Sequence, residues 1–125
     1  MLAAPTDIAR YVQSVTAFAP PRHQQIVEWV GGTPEEVPER YAVLRGLSYA
    51  DRVRQPVLLF QGTFDMFIPV EHTLWMEQAL REAGNQKVRV ELNDRIGHFC
   101  ELASLGYEFD RVAGLSITWF DQTLQ

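Results

Sequence analysis

The sequence has few cysteines, few basic residues and no long apolar run. Cys100 is its only cysteine, so no disulfide can form within the chain, and we expect a reducing, cytoplasmic location. The chain has 11 Lys and Arg residues against 16 Asp and Glu, and its arginines are scattered, so we expect no nucleic-acid partner. No apolar run approaches the roughly 20 residues of a membrane-spanning helix, so we expect no membrane partner.

The sequence also lacks the spacings that hold metals and cofactors. His23, His72 and His98 do not form a set such as H-E-x-x-H, so we predict no metal and no cofactor. His72 is predicted to lie on the surface, in the first turn of its helix. Cys100 follows His98 by two residues, and side chains that close along a loop rarely face each other as nucleophile and base. We therefore favour a buried apolar thiol over a small thiol enzyme.

The composition is that of a globular domain. The chain has 125 residues, of which 46% are hydrophobic and 22% are charged. This length predicts one domain spanning residues 1–125, with a small core.

The most informative stretch is residues 56–69, PVLLFQGTFDMFIP. A short apolar run between proline and glycine predicts a strand buried on both faces, as in a parallel sheet. Asp65 follows in a loop, and the loops beyond the carboxyl ends of such strands carry the catalytic groups of open α/β sheets. His98 lies 33 residues later, after a predicted helix (70–83) and a predicted edge strand (87–92) with alternating polarity. Both side chains are therefore expected on one rim of the sheet.

The remaining pattern is helical. Thr6 or Asp7 is expected to cap a first helix that ends at the prolines 20 and 21, and glycines 31 and 32 are expected to end a second helix over residues 22–30. A further helix is predicted to run to about residue 44, and a last one spans residues 107–123 with an apolar stripe. Residues 2–4 are a candidate stub of a third strand. The predicted class is α/β with two to three parallel strands, too few to cover the central strand. The chain is thus expected to be part of a larger protein or to form a homo-oligomer through its incomplete sheet.

The spacing of Asp65 and His98 leaves two interpretations open. In the first, the two residues are a catalytic pair: the Asp65 carboxylate accepts a hydrogen bond from Nδ1–H of His98 and stabilises the imidazolium formed when the ring acts as a base. Alternatively, Asp65 caps the following helix and His98 is a structural histidine bonded to the backbone.

Several segments, in order, resemble one enzyme family. They are residues 31–41, residues 48–65, Ile68-Pro69, Ala83-Gly84 and Gly97-His98-Phe99. Together they resemble the C-terminal half of the catalytic domain of prolyl-oligopeptidase-type serine hydrolases, the group of acylaminoacyl and dipeptidyl peptidases. The resemblance implies a partial α/β-hydrolase fold without the N-terminal strands, Asp65 and His98 as the acid and base of a catalytic triad, and peptides or small esters as ligands.

The nucleophile of that family is the feature we do not find. Its serine stands in a G-x-S-x-G elbow, and none of the four serines here, Ser14, Ser48, Ser104 and Ser116, is flanked in that way. We therefore expect the isolated chain to be inactive. The alternative is a non-catalytic protein that self-associates or binds a partner and keeps part of the hydrolase fold.

Overall fold

The computed structural model describes residues 4–94, 96–98 and 107–124. Two parallel strands, β1 (Val57–Gly62) and β2 (Val88–Asn93), pair in register from Val57 opposite Val88 to Gly62 opposite Asn93. The helix between them is α4 (Glu71–Glu82). The predicted strand–helix–strand unit is present, and because its strands are parallel, the loops after β1 and β2 leave the sheet at the same edge.

The other helices lie before and after this unit. α1 (Ile8–Phe18), α2 (Pro20–Val30), α3 (Pro38–Val43) and a 3₁₀ helix (Gly46–Arg52) precede β1, and α5 (Tyr107–Thr123) ends the described chain. Asp7 caps α1 by accepting a hydrogen bond from the Arg10 N–H, as expected. α2 begins at Pro20, two residues earlier than predicted, because proline lacks the N–H that would need a partner in the first turn. It ends at Val30 and is capped by Gly31, whose φ of 88° is left-handed.

Helices cover both faces of the sheet. On one face, Leu59 of β1 packs with Leu80 of α4 and with Ala50 and Val88. On the other face, Phe60 packs with Val112 of α5. The alternation of Leu59 and Phe60 explains the unbroken apolar run, because both directions from β1 lead into core.

A further part of the core joins α1 to the loop after β1. Tyr11 and Val15 of α1 pack with Ile68, which follows Asp65 by three residues. The adjacent side of α1 packs through Val12 against Val30 and Tyr41, on α2 and α3. The helices that precede the sheet are therefore fixed to the loop that carries Asp65.

One prediction about burial was wrong. His72, predicted on the surface, is only 1% exposed in the first turn of α4. The apolar stripe of α5 is only partly covered: Val112 is buried, but Ile117, Phe120 and Leu124 are 61%, 53% and 66% exposed. The candidate third strand falls largely outside the described residues. None of the described helices is long and apolar enough to span a bilayer.

Candidate active site

Asp65 lies in the turn that follows β1, and its carboxylate is fully committed to hydrogen bonds. The Oδ1 atom accepts from the backbone N–H groups of Phe67 and Ile68, at 2.8 Å each. The side chain is 1% exposed. Because the two N–H donors belong to the same turn, they hold the carboxylate in one orientation.

His98 lies in the loop that follows β2 and contacts the other oxygen of that carboxylate. Its Nδ1 atom is 2.7 Å from Oδ2 of Asp65, and its side chain is 23% exposed. An ionised carboxylate can only accept hydrogen bonds. In the neutral imidazole, Nδ1 therefore carries the proton and donates to Asp65, and Nε2 is the nitrogen that can accept a proton. The Phe67 ring packs against the imidazole with centroids 5.4 Å apart and planes at 57°. This contact is the one expected from the first of the two interpretations that the spacing left open.

Backbone contacts at Gly62 bring the two loops together. The N–H of Phe64 donates to the carbonyl of Ile96 at 3.0 Å, and the N–H of Thr63 donates to that of Asn93 at 2.9 Å. A Cβ atom at Gly62 would overlap the carbonyl group of Ile96. The last residue of β1 is therefore a glycine because the loop that carries His98 crosses directly over it.

Gln61 is a site residue that sequence reasoning missed. Its side chain is completely buried, its Nε2 donates to the carbonyl of Ile68 at 2.6 Å, and its Oε1 accepts from the Thr73 hydroxyl. These bonds join the end of β1 to the turn around Asp65, through Ile68, and to α4, through Thr73. The available signal was an amide side chain at the end of an otherwise apolar strand, since a buried polar group requires partners.

A cleft of about 270 Å³ opens beside His98. Its walls come from α1, from the start of α2 and from the turn around Asp65. The lining residues that matter here are Tyr11, Val15, Phe18, Arg22, Phe67 and Ile68. The candidate base therefore lies at the edge of a mainly apolar depression large enough for a small organic group.

His72 has a structural role, which the sequence did not predict. Its Nδ1 accepts from the Thr6 N–H at 3.2 Å, and the Thr6 hydroxyl donates to the His72 carbonyl at 2.9 Å. Burial lowers the pKa of His72, and the charge of Arg10 adds to this, while Asp7 and Glu71 oppose it. His72 is therefore a neutral acceptor that anchors the start of α1 to α4.

Two of the four serines are bonded within helices. The hydroxyls of Ser14 and Ser116 donate to the carbonyls of Tyr11 and Val112, one turn earlier. Ser104 and Cys100 lie outside the described residues. Within the described part of the chain, no group of three or more His, Cys, Asp or Glu residues is arranged to hold a metal.

A parallel strand–helix–strand unit with an Asp–His pair on the loops beyond its strands is what part of an α/β-hydrolase presents. The chain belongs to the prolyl oligopeptidase family, whose model matches residues 8–125.

Two relatives agree with this assignment. The chain is 32% identical over 53 residues to the uncharacterized peptidase YtmA of Bacillus subtilis (strain 168), an alignment that covers 42% of this chain and 21% of that protein. It is also similar to a solved structure of an acylaminoacyl peptidase in complex with Z-Gly-Gly-Phe-chloromethyl ketone. That match has a TM-score of 0.59 and 25% identity, and it covers 69% of this chain and 14% of the other. The chain thus spans a small fraction of the relatives it matches, and its fold is a partial α/β-hydrolase fold.

Proposed function

We propose that this chain supplies the acid and base of the catalytic triad of a prolyl-oligopeptidase-type serine hydrolase. Asp65 orients the ring, His98 is the general base and acid, and a serine outside these 125 residues is the nucleophile. The observation that carries the proposal is the 2.7 Å contact between Nδ1 of His98 and Oδ2 of Asp65. The family match and the cleft beside His98 support it.

The roles follow from the protonation states of the pair. With Nδ1–H donated to Asp65, Nε2 of His98 removes the proton from the serine hydroxyl as that oxygen attacks a carbonyl carbon. The imidazolium that forms is stabilised by the buried carboxylate, whose other oxygen is already held by two N–H groups. Nε2 then returns the proton to the leaving group. One of the relatives binds a peptide-derived chloromethyl ketone, which supports peptides or small esters as substrates.

The proposal requires that the 125 residues have no serine-hydrolase turnover by themselves. The pure chain is incubated with p-nitrophenyl acetate and with a fluorophosphonate probe, and His98→Ala and His23→Ala serve as test and control. We expect no covalent labelling and no turnover that depends on His98. Labelling of a serine, or turnover lost in His98→Ala but kept in His23→Ala, would contradict an external nucleophile.

We also propose a second candidate function, a non-catalytic chain that self-associates, because α5 has an exposed apolar face. Ile117, Phe120 and Leu124 are each more than half exposed and are spaced three and four residues apart on one side of the helix. The described sheet has only two strands. A second copy packed against α5 would therefore add to the small core by covering these exposed side chains. Such an apolar face favours an interface.

Light scattering at micromolar concentration tests self-association. We expect a dimer of the unmodified chain that dissociates in Ile117→Glu and persists in Gln122→Glu, which adds the same charge at an exposed polar position of α5. A monomeric unmodified chain would remove this candidate and leave the hydrolase proposal unaffected.

A further inference from the structure

The walls of the cleft beside His98 are mainly apolar, but one exposed cation is among its lining residues. The apolar walls come from α1, through Tyr11, Val15 and Phe18, and from the turn after β1, through Phe67 and Ile68. Arg22, in the first turn of α2, is the one permanently charged residue among its described lining groups. Arg22 also lines an adjoining cleft of about 270 Å³ that includes Ile26 and Trp29. No Asp or Glu is among the described residues that line either cleft.

Arg22 differs from the other arginines of the described chain because its side chain has no partner. Its backbone N–H donates to the Ala19 carbonyl, but within the described residues its guanidinium makes no hydrogen bond, ion pair or ring contact. Each of the others has at least one such contact. Those paired with carboxylates are Arg10, Arg45, Arg81, Arg89 and Arg111. Those bonded to carbonyl groups or stacked on a ring are Arg40, Arg54 and Arg52. Although the chain has a net charge of -5, this exposed guanidinium has no carboxylate partner within the described residues, so it is free to pair with an anionic group of a ligand in the cleft.

We propose that Arg22 is a specificity-determining residue, selecting ligands in which a carboxylate lies next to an apolar group. The apolar group occupies the cleft, and the carboxylate pairs with the guanidinium, whose planar set of N–H donors matches two carboxylate oxygens. The step from ligand to substrate rests on the proposed hydrolase function. It narrows the substrates to peptides or esters with an aromatic or aliphatic side chain beside an acidic group.

The expected selectivity is modest because Arg22 is exposed. Ion pairs in such positions change an equilibrium constant by about 2- to 5-fold and weaken as salt rises. The apolar contacts therefore supply most of the affinity, and Arg22 supplies the preference between charged and neutral ligands of the same shape.

Binding to the full 125-residue chain tests the proposal without any need for turnover. The probes are 3-phenylpropionate and its neutral isostere 3-phenylpropanamide, each titrated while the backbone amide signals of Ala19 and Ile68 are followed by NMR. We expect the carboxylate to bind about 2- to 5-fold more tightly than the amide at low salt, with the preference shrinking at high salt. Arg22→Gln should equalise the two ligands, whereas Arg52→Gln, which removes an arginine that does not line the cleft, should not.

Phe18→Ala separates the apolar contribution from the charge. It should weaken both ligands equally, since it removes a wall and leaves Arg22. No binding of either ligand, equal binding by the unmodified chain, or a preference that survives Arg22→Gln would each overturn the inference. These binding outcomes are independent of the hydrolase test. A chain without His98-dependent turnover can still bind the carboxylate more tightly than the amide, and a chain with such turnover can bind the two ligands equally.

Discussion

The two oxygens of the Asp65 carboxylate have different partners. Oδ1 accepts the two N–H groups of its own turn, and Oδ2 contacts His98. Of the two interpretations left open by the sequence, the helix cap is absent: Val70 precedes α4, and no side chain caps that helix. Asp65 instead holds its own turn with one oxygen and contacts His98 with the other, which one carboxylate can do because it has about four acceptor positions.

Asp65→Asn should reverse the tautomer of His98. The amide oxygen of asparagine keeps the two backbone N–H bonds, so an NH₂ group is turned toward Nδ1, which then has to accept. We expect ¹⁵N NMR of histidine-labelled chain to show His98 protonated at Nδ1 before the change and at Nε2 after it. Asp110→Asn, at an exposed position of α5, is the control. The same tautomer in both proteins would show that Oδ2 does not govern the ring.

His72 should make the chain less stable in mild acid. Burial holds its folded-state pKa below that of the unfolded chain, so the unfolded state binds more protons as the pH falls through the usual range of histidine. Its contribution to stability is complete above that range and is lost as the pH drops toward the folded-state pKa.

The variant His72→Asn tests this dependence. Asparagine retains an acceptor near the position of Nδ1 for the Thr6 N–H but does not titrate. Urea unfolding across mildly acidic pH should therefore give a flatter pH profile for His72→Asn than for the unmodified chain, with His23→Ala keeping the original slope. Equal slopes in all three proteins would exclude His72 as the source.

At the scale of elements, the site depends on how closely the loops after β1 and β2 approach. Phe64 bonds to Ile96 across the end of the sheet, and Gly62 leaves the space in which this happens. A side chain at Gly62 would displace the segment 96–98 and, with it, His98.

Gly62→Ala should destabilise the chain by about 1–3 kcal/mol, the usual cost of overfilling a packed site, and should weaken the contact between Asp65 and His98. Gly114→Ala is the matched control, since a Cβ atom there meets nothing within 4 Å. In the interior of α5 that change should stabilise the chain by about 0.5–1 kcal/mol. Urea unfolding measures both effects. A neutral Gly62→Ala would mean that the loops do not approach as described.

The sequence predicted elements better than burial. The strand at 57–62 followed from an apolar run between proline and glycine, and α5 was predicted with its observed bounds from its periodicity. The exposure of Ile117, Phe120 and Leu124 could not be predicted. An apolar stripe indicates that a helix face packs against something, but it does not show whether the partner surface belongs to the same chain. His72 was misplaced because its partner, Thr6, is 66 residues away in the chain.

The candidate site was predictable in outline for a topological reason. Parallel strands deliver their loops to one edge, so Asp65 and His98 could be expected at the same edge once the strand–helix–strand unit was recognised. The support beneath them was not predictable. Gln61 reaches Ile68 and Thr73 only because the turn folds back over the end of β1, and residue type alone does not encode such a contact.

At the scale of the whole molecule, this chain is a fraction of the proteins it resembles. The family model covers residues 8–125, yet the matches cover 14% and 21% of the two relatives. The exposed face of α5 and the two-stranded sheet are consistent with a unit that packs against further polypeptide. Under the proposed function, the acid and base lie in this chain and the nucleophile lies outside these 125 residues.

A chimera measures that division of roles most directly. The 125 residues replace the matching C-terminal part of the catalytic domain of a prolyl-oligopeptidase-family peptidase that retains its own G-x-S-x-G serine, and turnover of p-nitrophenyl acetate is followed. We predict turnover whose kcat falls by roughly a million-fold in His98→Ala and is unchanged in His23→Ala. A chimera that labels with fluorophosphonate and turns over equally well with and without His98 would contradict the account.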